Sequence, residues 1–125
     1  MQNCNNQQYK VEFKKRLYNF ILNLIKFIDL LNKRDRTVFV ISDQLLRSGT
    51  SILGNYVEAQ AASSKRDFTN FFNHSLKSAN ESKLWLALLR DTSKADKEQV
   101  NVLLKELTEV ANIFGSSILT LKGKK

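Results

Sequence analysis

Proline is absent from this chain and glycine is scarce, with four in 125 residues. Without proline, no position has to give up its backbone N–H or press against a preceding helical turn. Long apolar-periodic segments separated by polar gaps therefore read as nearly all helix. Val38, Phe39, Val40 and Ile41 form the one β-like run. Its pattern continues into Leu45 and Ile52 at helical spacing, so it reads as the start of a helix.

Other scarcities exclude whole chemistries. The single Cys4, in an Asn- and Gln-rich tail, rules out an internal disulfide framework and every multi-cysteine zinc pattern, and its thiol reads as free and incidental. His74 is the one histidine, whereas the di-metal carboxylate centres of four-helix bundles need Glu-x-x-His pairs. Nucleophile motifs, glycine-rich phosphate loops and dinucleotide fingerprints are missing. These points predict no enzyme, no cofactor and no metal site. A spanning helix is excluded because Leu17 to Leu31 carries Asn19, Asn23, Lys26 and Asp29 and falls short of the roughly 20 apolar residues needed. Met1 to Gln8 is uncharged and amide-rich, with no cleavage site ending an apolar stretch, so no secretory signal is read and a cytoplasmic protein is expected.

Hydrophobic residues make up 42% of the chain, with eight phenylalanines, enough for one real core in a domain spanning 1–125. Four stripes organise it. The first runs through Phe13, Leu17, Phe20, Leu24, Phe27 and Leu31, widened by Ile21 and Ile28. The second takes Ile41, Leu45, Ser48, Ile52, Asn55 and Ala59, and the third Phe68, Phe72, Ser75, Ala79, Ser82, Leu86 and Leu89. Val100, Leu103, Leu107, Val110, Phe114 and Leu121 form the last. Steps of three and four mark amphipathic helices, each long enough to reach about 30 Å at 1.5 Å per residue. Four such rods on short links predict an antiparallel up-down four-helix bundle, all α. Thr37 is expected to cap the second helix, Ser64 with Asp67 the third, and Asp96 with Gln99 the fourth. Residues 1–10 and 122–125 are expected to be frayed tails.

The second helix carries an unusual face. Ser48, Ser51, Asn55 and Glu58 place hydroxyl, amide and carboxylate groups three and four residues apart, on one stripe. Small residues at Ser48, Gly49, Ser51 and Gly54 opposite Ser75, Ser78 and Ser82 would let two helices approach closely. Alternatively, Arg47, Asn55 and Glu58 complete a hydrogen-bonded network that fixes register or a subunit interface, because buried charge has to be paired. A ligand role for the stripe is the third reading.

The block QLLRSGTSILGNYVEAQAASSKRDF, followed by LKSANESKLWLALLRD, resembles the four-helix bundle family encoded by intervening sequences of bacterial 23S ribosomal RNA genes, also called S23 ribosomal protein. The family's elements fall on Arg47 and Ser48, Ser51 and Ile52, Asn55, Glu58, and Ser64, Lys65, Asp67 and Phe68, and the likeness extends over roughly 11 to 121 by helical periodicity. The chain departs in having Gly49 and Gly54 where the family often has Ala, and Ala59 and Gln60 in place of a Gly and an aromatic residue. The resemblance implies an antiparallel bundle that assembles into a homopentamer. It also implies a relation to the accessory proteins of diversity-generating retroelements, which partner a reverse transcriptase and nucleic acid. It implies no enzymatic activity.

Charge points the same way. Lysine and arginine number 20 against 12 acids, a net charge of +8, which favours polyanionic partners such as RNA or DNA. The candidate contacts are Lys14, Lys15, Lys26, Lys33, Arg34 and Arg36, with Lys65 and Arg66 at the turn into the third helix. Lys15, Lys26 and Lys33 are expected to share one side of the first helix. Backbone attraction needs no more than such a stripe, although a lysine-rich face is commonly only solvated. Tyr9, Tyr18 and Tyr56 do not form the stacking array of an RNA-recognition fold, so backbone and shape contacts are expected.

Three functional classes remain. One is a nucleic-acid-binding accessory protein, another a scaffold or adaptor for a nucleic-acid enzyme such as a reverse transcriptase, and the last a ligand-binding or catalytic bundle using Glu58 and Glu81. Leu22, Leu30, Ile113 and Leu119 lie off the main stripes and would be wet in a lone bundle, which together with the resemblance predicts a homo-oligomer, five chains being expected.

Overall fold

A computed structural model describes residues 2–123, with side-chain environments from residue 7 onward. The chain forms α1 (Gln2–Asp29), α2 (Arg36–Gln60), α3 (Lys65–Asp91) and α4 (Lys97–Leu121), and no strand occurs among the described residues. Each helix packs on its neighbours in sequence and α4 closes against α1, which makes a four-helix bundle. The β-like run Val38–Ile41 lies inside α2. Where a tail is expected over 1–10, α1 is helical from Gln2. At the other terminus Lys122 caps α4, and residues 124 and 125 lie outside the described residues.

The apolar stripes meet as the core. Leu17, Leu24, Leu45, Ile52, Leu86, Leu89, Leu107 and Phe114 are fully buried, each worth about 1.5 to 3 kcal/mol relative to exposure. One aromatic ring from each helix meets near one end: Phe13, Tyr56, Phe72 and Phe114, with ring centroids 5.1 to 6.3 Å apart. Trp85 is half-buried beside the core, and its Nε1 donates to Glu81 Oε2 at 3.0 Å.

Helix ends follow local chemistry. Ser64 Oγ accepts from the Asp67 N–H at 3.1 Å and Asp96 Oδ2 from the Gln99 N–H at 2.9 Å, as the sequence predicts. Asp35, and not Thr37, caps α2: its Oδ1 accepts from the Val38 N–H at 3.1 Å. After α3, Ser93 takes the left-handed conformation with φ 59°. Its N–H reaches the Arg90 carbonyl and that of Lys94 the Leu89 carbonyl, the paired closure of a Schellman turn.

The seams differ in width. Hydroxyl-bearing residues bring α2 and α3 closest, whereas bulky side chains hold α1 and α4 furthest apart, leaving an open groove of about 590 Å³ lined by Arg16, Asn19, Phe20, Asn23, Val102 and Glu106 among others.

Candidate nucleic-acid interface

The cations named from the sequence occupy separate places. Lys14 and Lys15 are exposed on the first half of α1; Lys26, Arg34 and Arg36 are exposed where α1 ends and α2 begins. Lys65 and Arg66 open α3 at the opposite end, also exposed. The 25 residues of α2 hold these ends about 37 Å apart at 1.5 Å per residue, so the seven do not make one patch on a single chain. Among the described residues none of the seven forms an ion pair.

Lys33 is different. Because α1 stops at Asp29, Lys33 lies in the link and does not extend the face of Lys15 and Lys26. Its Nζ donates to the carbonyls of Ile28 at 2.8 Å and of Asp29 and Leu31 at 3.3 Å. These carbonyls lie at and just past the C-terminal end of α1, where a cation is favoured, and that of Ile28 also accepts from the Leu31 N–H at 3.0 Å. Its ammonium closes the carbonyl end of α1, although the residue is as exposed as its neighbours.

Among the described residues, four of the twelve carboxylates are held by cations. Arg16 on α1 holds Glu106 through Nε and Nη2, both at 2.7 Å, and reaches Glu109 at 2.7 Å, tying α1 to α4. This pairing, Glu106 first, raises the already high Arg16 pKa further. Lys94 Nζ donates to Asp35 Oδ2 at 2.6 Å, clasping the α3–α4 link to the α1–α2 link. Lys94, followed by the Val38 N–H, holds the Asp35 carboxyl below the usual carboxylate range, and Arg90 does the same for Asp91.

The polar stripe of α2 splits in two. Ser48 Oγ and Ser82 Oγ are 2.7 Å apart, Ser82 donates to the Ser78 carbonyl at 2.9 Å, and Ser75 donates to the Ile52 carbonyl at 2.9 Å. Ser78 Oγ donates to Ser51 Oγ at 2.9 Å. Apart from the Ser82–Ser78 bond, which stays within α3, these bonds stitch α2 to α3. Of the network expected through Arg47, Asn55 and Glu58, only Asn55 joins it among the described residues, reaching α3 through the Ser51 hydroxyl that Ser78 also bonds. Asn55 Nδ2 bonds only within α2, to the Ser51 carbonyl and hydroxyl, both at 2.9 Å. Arg47 is exposed and donates to Gln44 on its own helix, and Glu58 is exposed. Burial therefore never forces these charges to pair. Ser42, not singled out in the sequence, is buried with its hydroxyl unpartnered.

Exposed apolar side chains concentrate on the α1–α2 side. A Cβ at Gly49 would press on Leu24, which fixes the side of α2 turned to α1, and Leu46 and Leu53 flank Gly49 at helical spacing. Leu46, Phe39 and Val57 are exposed there, and Val11, Tyr18 and Leu22 are exposed on the side of α1 away from Arg16. Of the other off-stripe residues, Leu30 and Leu119 are exposed and Ile113 is half-buried against the core. His74 is exposed, whereas Tyr56 is buried. Among the described residues no group of three or more His, Cys, Asp and Glu side chains is placed to hold a metal ion. No helix among them is long and apolar enough to cross a membrane.

Comparison with known proteins agrees with the sequence motif. The family model of the 23S rRNA-intervening sequence protein matches residues 9–116. A crystal structure of a protein of unknown function from the S23 ribosomal protein family of Bacteroides thetaiotaomicron superposes with a TM-score of 0.78 at 37% identity, covering 84% of this chain and 96% of that one. No curated protein matches the chain. A match over most of the length, the same bundle and the α2–α3 motif together place this chain in the 23S rRNA-intervening sequence protein family.

Proposed function

We propose that this protein is a cytoplasmic, non-enzymatic accessory protein that holds RNA or DNA by the backbone and works as a homo-oligomer. The observation that carries the reading is the surplus of exposed, unpaired cations on a chain of net charge +8. Asp35, Asp91, Glu106 and Glu109 are engaged by cations, while Lys14, Lys15, Lys26, Arg34, Arg36, Lys65 and Arg66 stand exposed and without ion pairs among the described residues. Such charges attract phosphates irrespective of sequence. In a ring of copies, the separate clusters of each chain repeat and their fields add. The apolar α1–α2 face is the surface that a second copy covers.

The adaptor reading has one observation in its favour, because the same apolar face would also suit a partner protein. Filter binding separates the two. The variant Lys26→Gln, Arg34→Gln, Arg36→Gln removes one cluster and Lys65→Gln, Arg66→Gln the other, in side chains clear of the core. For two RNAs of unrelated sequence, affinity is expected to fall alike, and the slope of log affinity against log salt to shrink by about 0.7 per lost contact on single strands, or about 0.9 on B-form DNA. Affinities and slopes unchanged in both variants would mean that the charges are only solvated, and the adaptor reading would take over.

A further inference from the structure

At the end of the bundle where α2 passes into α3, side chains from all four helices enclose a hollow of about 350 Å³ that opens to solvent. That volume lies within the range of about 300 to 1,000 Å³ that small-molecule sites occupy. The floor is aromatic: Phe13, Tyr56 and Phe72 line it and are buried. Phe68 stacks on Phe72 with centroids 4.5 Å apart. Tyr9 stands at the lip, 61% exposed, its ring nearly parallel to Phe13 at 6.5 Å. A large aromatic ring left this wet beside an apolar hollow offers a flat face to a ligand.

The surroundings are basic. Lys10 and Gln60 line the hollow and are exposed. Lys122 follows the lining residue Leu121, and Lys65 and Arg66 lie within one turn of the lining residue Phe68. The carboxylates nearest to these positions in sequence are Glu12, Glu58 and Asp67, so four cations face three acids. An apolar, ring-lined hollow with a cationic rim is complementary to a flat ring joined to an anionic chain.

Building on the nucleic-acid-binding reading, we propose that this hollow receives one unpaired base of a single-stranded RNA or DNA. The base stacks on Tyr9 and Phe68 while Lys10, Lys65, Arg66 and Lys122 hold the flanking phosphates. Every base has a π-face, so stacking of this kind tolerates any sequence. The Gln60 amide, with both donors and an acceptor, is placed to meet a base edge without committing to one base. A duplex has no base to offer unless it unstacks one. The site therefore adds a preference for single strands to a backbone attraction that has none.

Fluorescence anisotropy with a short oligouridine strand and an abasic strand of equal length tests this directly. Wild-type protein is expected to bind the base-bearing strand at least about fivefold tighter, the smallest ratio ordinary base–aromatic stacking produces. Tyr9→Ala, at an exposed position, is expected to bring that ratio close to one with the salt slope unchanged. Lys26→Gln, Arg34→Gln, Arg36→Gln at the far end is expected to lower the slope and keep the ratio. Equal wild-type affinity for the two strands, or a ratio untouched by Tyr9→Ala, would overturn the base site while leaving backbone binding intact. Absence of binding to either strand would overturn both readings.

Discussion

Gly49 and Gly54 lie in the same helix and meet opposite surroundings. A Cβ at Gly49 would fall well inside van der Waals contact with Leu24, which is fully buried, whereas a Cβ at Gly54 meets nothing within 4 Å. Replacing glycine by alanine inside a helix gains about 1 kcal/mol in propensity, and overpacking a core costs about 1 to 3 kcal/mol. Gly54→Ala is therefore expected to raise stability by about 1 kcal/mol and Gly49→Ala to lower it by about 1 kcal/mol, read from urea unfolding; shifts of the same sign would contradict the packing described. In sequence the two glycines look alike, because only the residue across the seam tells them apart. The same limit explains the α2 stripe. Ser48 and Ser51 were legible as a face toward α3, but helical spacing cannot say where that seam stops, and Arg47 and Glu58 fall just beyond it.

Helix ends were legible where a partner three residues on marks the cap. Ser64 and Asp96 are followed at that spacing by Asp67 and Gln99, but Asp35 and Thr37 both stand at the start of α2, and the helix begins early enough for Asp35 to take the role. The consequence reaches beyond the cap, since Asp35 also holds Lys94 and joins two links. Its carboxyl is pulled below the ordinary value of about 3.9, chiefly by Lys94 and then by the Val38 N–H. A carboxyl depressed in the fold adds stability above its unfolded pKa and loses it as pH falls through the folded one. Stability is thus expected to hold through neutral pH and to decline below about pH 4, with Asp91 acting in the same direction through Arg90. Asp35→Asn keeps a capping side chain and removes the titration. Its melting temperature should be lower at neutral pH and fall less steeply in acid, and an acid profile identical to wild type would contradict this role.

The bundle itself was legible because four stripes of similar length leave few other ways to bury them. Surfaces were not, since a stripe on one helix says nothing about the distance to a stripe on the next. Lys26 and Lys65 look like parts of one basic character in sequence and stand at opposite ends of the molecule. Tyr18 and Leu46, far apart in sequence and both exposed, share the apolar α1–α2 side. If a second copy covers that side, Leu46→Asp is expected to reduce the assembly to a 14.4 kDa monomer by light scattering with helix content unchanged, and a monomeric wild type would contradict it. The most direct measurement of the central claim is the affinity of wild-type protein for two single-stranded RNAs of unrelated sequence across a range of salt. The account predicts closely similar affinities that fall together on a log–log plot, with a slope of about −0.7 for each phosphate held. Binding that ignores salt, or that discriminates sharply between the two sequences, would contradict it.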